Sequence, residues 1–388
     1  MKISIKQGVT LLAFIVALSI PYLPESVTSF LPFKQTSLLS FLILIFVYII
    51  SASAWNLSLK QGITLLAFVV ALRIPCLPVE VFSLLPFKVT YLLEILIMMY
   101  VFIIYASAWN LLTYSGQGSL GHAAFLGIGA YASAIILRYL KPEPLLFNSI
   151  NIDVILAVLA GGMVASIAGI LIGLTCVRLR EWFLGMVTFG FAIIISTITT
   201  ELSNITGGHD GLPTKHLVTV TDFLSRYKME YYIILVFTVV VIYLIYRILK
   251  SRLGLAFEAI RENELEARVM GINTVKYKLI GFALSAFFSG IAGALMSHHM
   301  GYLTPEVFSV ENSFKPIIYC ITGGLFTLEG PILGTVIISS LWDGLKSMGL
   351  MHLHLVIIGL LLIVIVIFLP KGLISLIGRV GKKSDSKV

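Results

Sequence analysis

Charge is scarce in this 388-residue chain: Asp, Glu, Lys and Arg make up 12% of it, against 58% hydrophobic residues. With a mean hydropathy of +1.01 and apolar runs of about twenty residues recurring throughout, a soluble fold is excluded and a polytopic membrane protein is predicted. Cysteine is scarce too. Cys76, Cys176 and Cys320 lie in or beside apolar runs without CxxC or metal-ligand spacing, and they read as small apolar fillers. There is no GxxxxGK[ST] phosphate-binding loop, which excludes ATP hydrolysis by this chain itself. The expected span centres are almost free of ionisable residues, with Glu94, Lys315 and Asp343 toward ends. An ion-coupled carrier or proton pump needs such residues mid-membrane, so that class is disfavoured. His298-His299 and His352-x-His354 have no acidic or cysteine ligands beside them in sequence, so no metal site is predicted. The net charge of +8 reports membrane topology, not nucleic-acid binding.

What is present begins with a tandem repeat. KQGVTLLAFIVALSIPYLPESVTSFLPFK (Lys6 to Lys34) returns as KQGITLLAFVVALRIPCLPVEVFSLLPFK (Lys60 to Lys88), and SASAWNL at Ser51 returns as YASAWNL at Tyr105. Each unit holds two apolar stretches around a Pro-Phe-Lys turn, a helical hairpin, so a duplicated copy preserves the sidedness of everything after it. Residues 1–59 are read as an extra hairpin copied from 60–112, residues 60–370 as the transmembrane domain, and residues 371–388 as a basic tail. The start, MKISIKQGVTLLAFIVAL, has the look of a signal peptide, but no A-x-A-like cleavage site follows, which predicts a retained first helix.

Twelve apolar segments are expected, near 9–32, 37–57, 62–85, 89–112, 118–138, 153–177, 183–203, 232–248, 279–297, 314–328, 331–346 and 353–369. The fold class is therefore an all-α polytopic transmembrane helical bundle of about 10–12 spans. Segments 118–138 and 314–346 are rich in glycine and proline, which predicts broken helices covered by protein or lining a cavity. One break in each half is also the pattern of an inverted-repeat transporter. Lys and Arg concentrate at 178–180, 247–278 and the tail, with Lys2 and Lys6 in agreement. Both termini are then cytoplasmic and 204–231 lies outside; Lys34, Lys88, Lys215, Arg226 and Lys228 run against the bias.

The segment Ser251 to Lys278 is far too polar for lipid yet lies between two apolar spans. Leu255, Ile260, Leu265 and Val269 recur at near-helical spacing among Glu258, Arg261, Glu262, Glu264 and Arg268, and Gly271 closes the pattern. Such a helix can lie on lipid headgroups or seat in a cleft of a soluble partner; its mixed charges favour the partner. In the glycine-rich segment, Gly118 and Gly121 remove bulk for close helix packing, or permit a break that exposes backbone to a pathway. Ser119 and His122 are the polar residues placed to face the interior. Gly323 and Gly324 form the matching feature late in the chain. TGGHDGLP, with Gly207, Gly208 and Asp210, reads as a compact turn or as a contact for a substrate-delivering protein.

The stretch AIRENELEARVMGINTVKYKLIGFALSAFFSGIAGAL resembles bacterial ABC-importer permeases of the branched-chain amino acid type, the LivM subunit in particular. Glu264-x-x-Ala267-x-x-x-Gly271 fits the EAA loop of such importers. SGQGSLGHAAFLGIGAYASAIIL, RLREWFLGMVTFGFAII, TGGHDGLP and GGLFTLEGPILGTVI resemble the same family in the same order, covering about Lys60 to the C-terminus. Residues 1–59 fall outside the resemblance. It implies a multi-pass permease of the bacterial inner membrane that carries no cofactor. It implies two cytoplasmic ATPase subunits holding ATP and Mg, a second related permease, and a periplasmic or extracellular binding protein delivering branched-chain or other hydrophobic amino acids. It also implies that the ATPases push on a loop containing Arg252, Glu258, Arg261, Glu264, Ala267 and Gly271. The alternatives are a carrier or channel working without ATP, a structural membrane subunit, and a permease for urea or short amides.

Overall fold

The computed structural model describes residues 89–140, 146–147, 149–177, 179, 181–347, 353–370 and 372–375. The chain divides into two compact units, Met1–Leu93 and Glu94–Val388. The duplicated hairpin, the expected spans at 9–32, 37–57 and 62–85, and most of the basic tail lie outside the described residues.

Long apolar runs dictate the architecture. In lipid every backbone polar group needs an internal partner, and a helix supplies one for each. The helices are α1 (Val89–Tyr114), α2 (Ala123–Leu140), α3 (Ile152–Cys176), α4 (Glu181–Glu201), a single turn α5 (Ser203–Thr206), and α6 (Phe223–Leu249). They continue with α7 (Arg252–Glu262), α8 (Glu264–Val269), α9 (Thr274–Met300), α10 (Val310–Gly323), α11 (Glu329–Ser347) and α12 (His354–Phe368). Among the described residues, α1, α2, α3, α6, α9 and the Phe183–Glu201 part of α4 are long and apolar enough to cross a membrane. The chain is an all-α polytopic bundle.

Among the described residues, four two-residue strands form two antiparallel pairs. Leu146–Phe147 runs antiparallel to Ile150–Asn151, and Leu212–Pro213 antiparallel to Tyr302–Leu303. Helix starts follow local chemistry. Asp222, Ser251, Asn263, Asn273 and Ser309 each accept a backbone N–H of the first turn of the helix they precede. Gly301, at φ 74°, ends α9 in the left-handed conformation.

The most buried of the six spans is α9, which packs on α2 and α3, while α10 pairs with α11 and α12. Small residues permit the close crossings: a Cβ at Gly129 would lie 2.2 Å from the Cα of Gly290.

Four boundaries differ from the sequence expectation. The span expected at 118–138 is helical only from Ala123, because Ser115–His122 runs irregularly. The span expected at 232–248 begins at Phe223, so Glu230 lies inside α6 and fully buried, not in an exterior loop. Its carboxylate is bound 2.6 Å from His299 Nδ1. The segment expected at 314–328 gives way at Gly324, and its 14 residues of helix cover only about 21 Å, short of a bilayer core. The single amphipathic helix expected before Gly271 is two helices, α7 and α8, since Asn263 is extended (φ −157°, ψ 108°) and caps the second.

Candidate functional site: a polar loop joined to two helix breaks

The first break follows α1. Backbone leaves the helix at Tyr114, passes through Ser115–His122 and re-enters helix at Ala123. Two of its backbone groups are held by neighbouring side chains, the kind of support an irregular segment inside a bundle requires. Trp109 Nε1 donates to the Ser119 carbonyl at 2.7 Å, and the Leu120 N–H donates to Thr188 Oγ1 at 3.1 Å. Gly121 passes so close to α4 that a Cβ would lie 1.7 Å from the Thr188 carbonyl oxygen. His122 is fully buried, with Nε2 2.6 Å from Ser289 Oγ and 3.3 Å from Ser285 Oγ. Tyr105 and Phe125 flank its ring. Ser119 is buried and Gly118 exposed.

The second break joins α10 to α11. Gly323 and Gly324 are buried, and Gly324 takes φ 135°. Phe326 also takes a positive φ, 58°, a conformation that costs a non-glycine residue about 1–3 kcal/mol and persists only under outside restraint. The restraint is visible. Asn110 Oδ1 accepts from the Phe326 N–H at 3.2 Å, and Asn110 Nδ2 donates to the Thr327 carbonyl at 2.8 Å. Tyr114 OH donates to the Phe326 carbonyl. The adjacent residues Trp109 and Asn110 thus hold one break each.

The polar segment completes the site. Arg261, near the end of α7, lays its guanidinium over the Phe326 ring at 4.4 Å and the Tyr114 ring at 5.8 Å. Its backbone lies against the first break, where a Cβ at Gly116 would come 3.3 Å from the Arg261 Cα. One residue of the loop therefore touches both breaks. Glu258 and Glu262, both exposed, pair with Arg261 at 3.7 and 2.7 Å and hold its orientation.

Glu264 anchors α8 by pairing with Lys278 at 2.6 Å and Arg268 at 3.2 Å. Burial pushes the Glu264 carboxyl up, but the Lys278 hydrogen bond and charge, with help from Thr274 and Arg268, outweigh it and hold the group below its ordinary value. Ala267 is buried, Arg252 and Gly271 are exposed, and Gly271 takes φ 85°. The sequence pattern placed Leu255, Ile260, Leu265 and Val269 on one apolar face. Only Ile260 is buried; Leu255, Leu265, Val269 and Met270 are 66–86% exposed.

At the other end of the bundle, Gly207 and Gly208 take positive φ, Gly208 is buried, and His209 and Asp210 are exposed. Two of the three cations that ran against the charge bias there are engaged: Lys215 pairs with Asp153 at 2.7 Å, and Arg226 Nη1 lies 3.2 Å from His216 Nε2. His298 Nδ1 lies 2.7 Å from the Lys215 carbonyl oxygen.

Sequence reasoning singled out Gly118, Ser119, Gly121, His122, Gly323 and Gly324, and the structure puts them in two breaks. It missed Trp109, Asn110, Thr188, Ser285, Ser289 and Phe326. The signal for two of these was present, because Trp-Asn recurs in both copies of the repeat.

A family model described as "Branched-chain amino acid transport system / permease component" matches residues 91–366. The high-affinity branched-chain amino acid transport system permease protein LivM of Salmonella typhimurium is 27% identical over 286 residues, 68% of this chain and 64% of that protein. The Escherichia coli LivM protein matches to the same extent. A probable LivM of Methanocaldococcus jannaschii is 26% identical over 271 residues, 64% of this chain and 77% of that protein. The matched region thus spans somewhat less than two thirds of the two enterobacterial relatives. No solved structure matches.

Proposed function

The chain belongs to the permease family of branched-chain amino acid transport systems, LivM-type, and from that premise we propose that it is the membrane subunit of an ATP-driven importer of branched-chain or other hydrophobic amino acids. Two ATPase subunits holding ATP and Mg dock on the exposed apolar patch of the 251–278 segment, the cytoplasmic side. A second related permease completes the translocator. A binding protein delivers the amino acid to the opposite end, with Gly207, Gly208 and Asp210 in the contact. The chain itself is no enzyme, holds no cofactor, and sits in the bacterial inner membrane with both termini cytoplasmic.

The observation that carries this reading is the position of Arg261. A transporter driven from outside the membrane needs a rigid connection between the docking surface and the segments that open the path. Arg261 is fixed to α7 by its backbone, lies against the first break at Gly116, and stacks on the second at Phe326. Movement of α7 under an ATPase would therefore displace both breaks together, shifting Gly118, Ser119, Gly121 and His122 relative to Gly323 and Gly324. The irregular backbone at both places offers carbonyl and N–H groups to a passing polar head once the packing loosens.

The test is affinity co-purification of the tagged chain from its native membrane, wild type against Glu264→Lys with Gly271→Asp. The first change reverses the charge facing Lys278 and Arg268, and the second places a side chain at φ 85°. Wild type should bring down ATP-binding subunits and a sister permease, and the double variant should lose the ATPases while keeping the permease. Wild type recovered alone, or a variant that keeps every partner, would remove the docking assignment.

A further inference from the structure

At the end of the bundle away from α7 and α8, a cavity of about 560 Å³ opens between α1, the last turn of α9 and the start of α10. That volume suits a small metabolite, since ligand sites run from about 300 to 1,000 Å³. Its apolar wall is Met98, Phe102, Met296, Met300, Leu303 and Val307. Its polar wall includes Ser297, Thr304, Glu306 and Ser309 and, from the start of α10, Glu311, Asn312 and Lys315. Lys315 Nζ lies 3.0 Å from Glu311 Oε1 and 2.9 Å from Asn312 Oδ1, and it faces the Phe102 and Trp342 rings at 5.2 Å each. The Asn312 amide reaches back to the carbonyls of Glu306 and Val307, both at 3.2 Å, and so fixes the loop that closes the cavity.

An ion pair on one wall and a flexible apolar surface on the other is the complement of a zwitterion with a hydrophobic side chain. We propose that this cavity is a binding site for the transported amino acid, its carboxylate on Lys315, its ammonium on Glu311, and its side chain against Phe102 and the three methionines of the apolar wall. The proposal rests on the permease reading above. Charge selects within amino acids: Glu306 and Glu311 against Lys315 give the cavity one excess negative charge, which disfavours acidic side chains. Met98, Met296 and Met300 are unbranched and adapt to side chains of different shape, as a site for several aliphatic residues requires.

The placement also supplies a mechanism for release. Glu311 and Lys315 stand in the first turns of α10, and the same helix ends at Gly323, next to the break that Arg261 holds. Fourteen residues of helix, about 21 Å, thus join the cavity to the polar loop. A shift of α10 set off at Phe326 would move Lys315 away from Phe102 and loosen the carboxylate site.

The experiment uses the intact complex purified from its native membrane and reconstituted in proteoliposomes, with a diazirine-bearing photoreactive leucine as probe. Label should appear on peptides containing Met98–Phe102 or Met296–Met300. Lys315→Met should cut that label at least tenfold, whereas Lys315→Arg, which keeps the charge, should hold it within about threefold. If Lys315→Met does not assemble with its partners, Glu311→Gln on the more exposed side of the pair carries the same expectation of loss. Leucine uptake with label elsewhere, or label indifferent to Lys315→Met, would overturn the site and leave the permease reading standing. Absence of both uptake and label would overturn the two together.

Discussion

Replacing Arg261 by alanine should separate ATP hydrolysis from transport. The guanidinium lies over Phe326 at 4.4 Å and Tyr114 at 5.8 Å, and its side chain is only 17% exposed. A cation on an aromatic face contributes about 0.5–1 kcal/mol when exposed and about 2 when desolvated. The shorter contact is therefore set at about 1–1.5 kcal/mol and the longer at a few tenths. The pairs with Glu258 and Glu262 involve carboxylates that are 60% and 72% exposed, and screening reduces them to a few tenths more. Glu258 and Glu262 belong to α7 itself and Tyr114 borders the first break, so the link between α7 and the second break is the Phe326 contact, about 1–1.5 kcal/mol, a factor of roughly 5–13. In proteoliposomes holding the complete complex, leucine moved per ATP hydrolysed should fall by that factor in Arg261→Ala. Partner ATPases should still co-purify, because the exposed patch of Leu255, Leu265, Val269 and Met270 is untouched. Arg261→Lys should recover part of the loss, since it keeps a cation but loses the flat surface that stacks on Phe326. A full transport-to-hydrolysis ratio in Arg261→Ala would refute the reasoning. So would loss of the ATPases, which would make Arg261 a docking residue.

Three further outcomes are expected. Gly121→Val places a Cβ 1.7 Å from the Thr188 carbonyl, and overpacking of about 3 kcal/mol or more should lower the melting temperature of the detergent-purified complex; an unchanged melt would show that α4 yields freely there. The Glu264 carboxyl, held low by Lys278 and Arg268, contributes stability above the unfolded value of about 4.3 and loses it as pH falls through the lower folded value. Carboxyl carbon NMR should find its midpoint below that value and see Lys278→Met move it upward; a midpoint indifferent to Lys278 would break the assignment. Leu265→Asp with Val269→Asp should abolish ATPase recovery without changing the yield of the folded permease, and normal recovery would place the docking surface elsewhere.

Much of the fold was legible in the sequence because the bilayer permits so few solutions. Apolar runs near 89–112, 153–177 and 183–203 match α1, α3 and α4 closely. The breaks were visible as clusters of glycine and proline. The polar loop stood out because eight residues from Glu258 to Lys278 carry charge. The internal geometry of the loop was less legible. A helical period reports that one face is apolar but not whether that face meets the protein or the solvent. Asn263 splits the pattern as a cap, so Leu265 and Val269 turn outward while Phe257 and Ile260 turn in. Glu230 looked like a loop residue because the apolar run begins after it, yet pairing with His299 lets the helix begin earlier and bury the carboxylate. The contact of Arg261 with Phe326 joins positions 65 residues apart, and no local pattern announces it.

The central claim, that this permease is driven by ATP through the 251–278 segment, is tested most directly by radiolabelled leucine uptake into proteoliposomes containing the purified complex. The amino acid and its binding protein would be supplied outside and either ATP-Mg or ADP-Mg enclosed. The account predicts accumulation against a gradient with ATP, none with ADP, and its loss on Glu264→Lys with Gly271→Asp. Equal uptake with ATP and ADP, undiminished in the double variant, would contradict it and make the chain a carrier or channel.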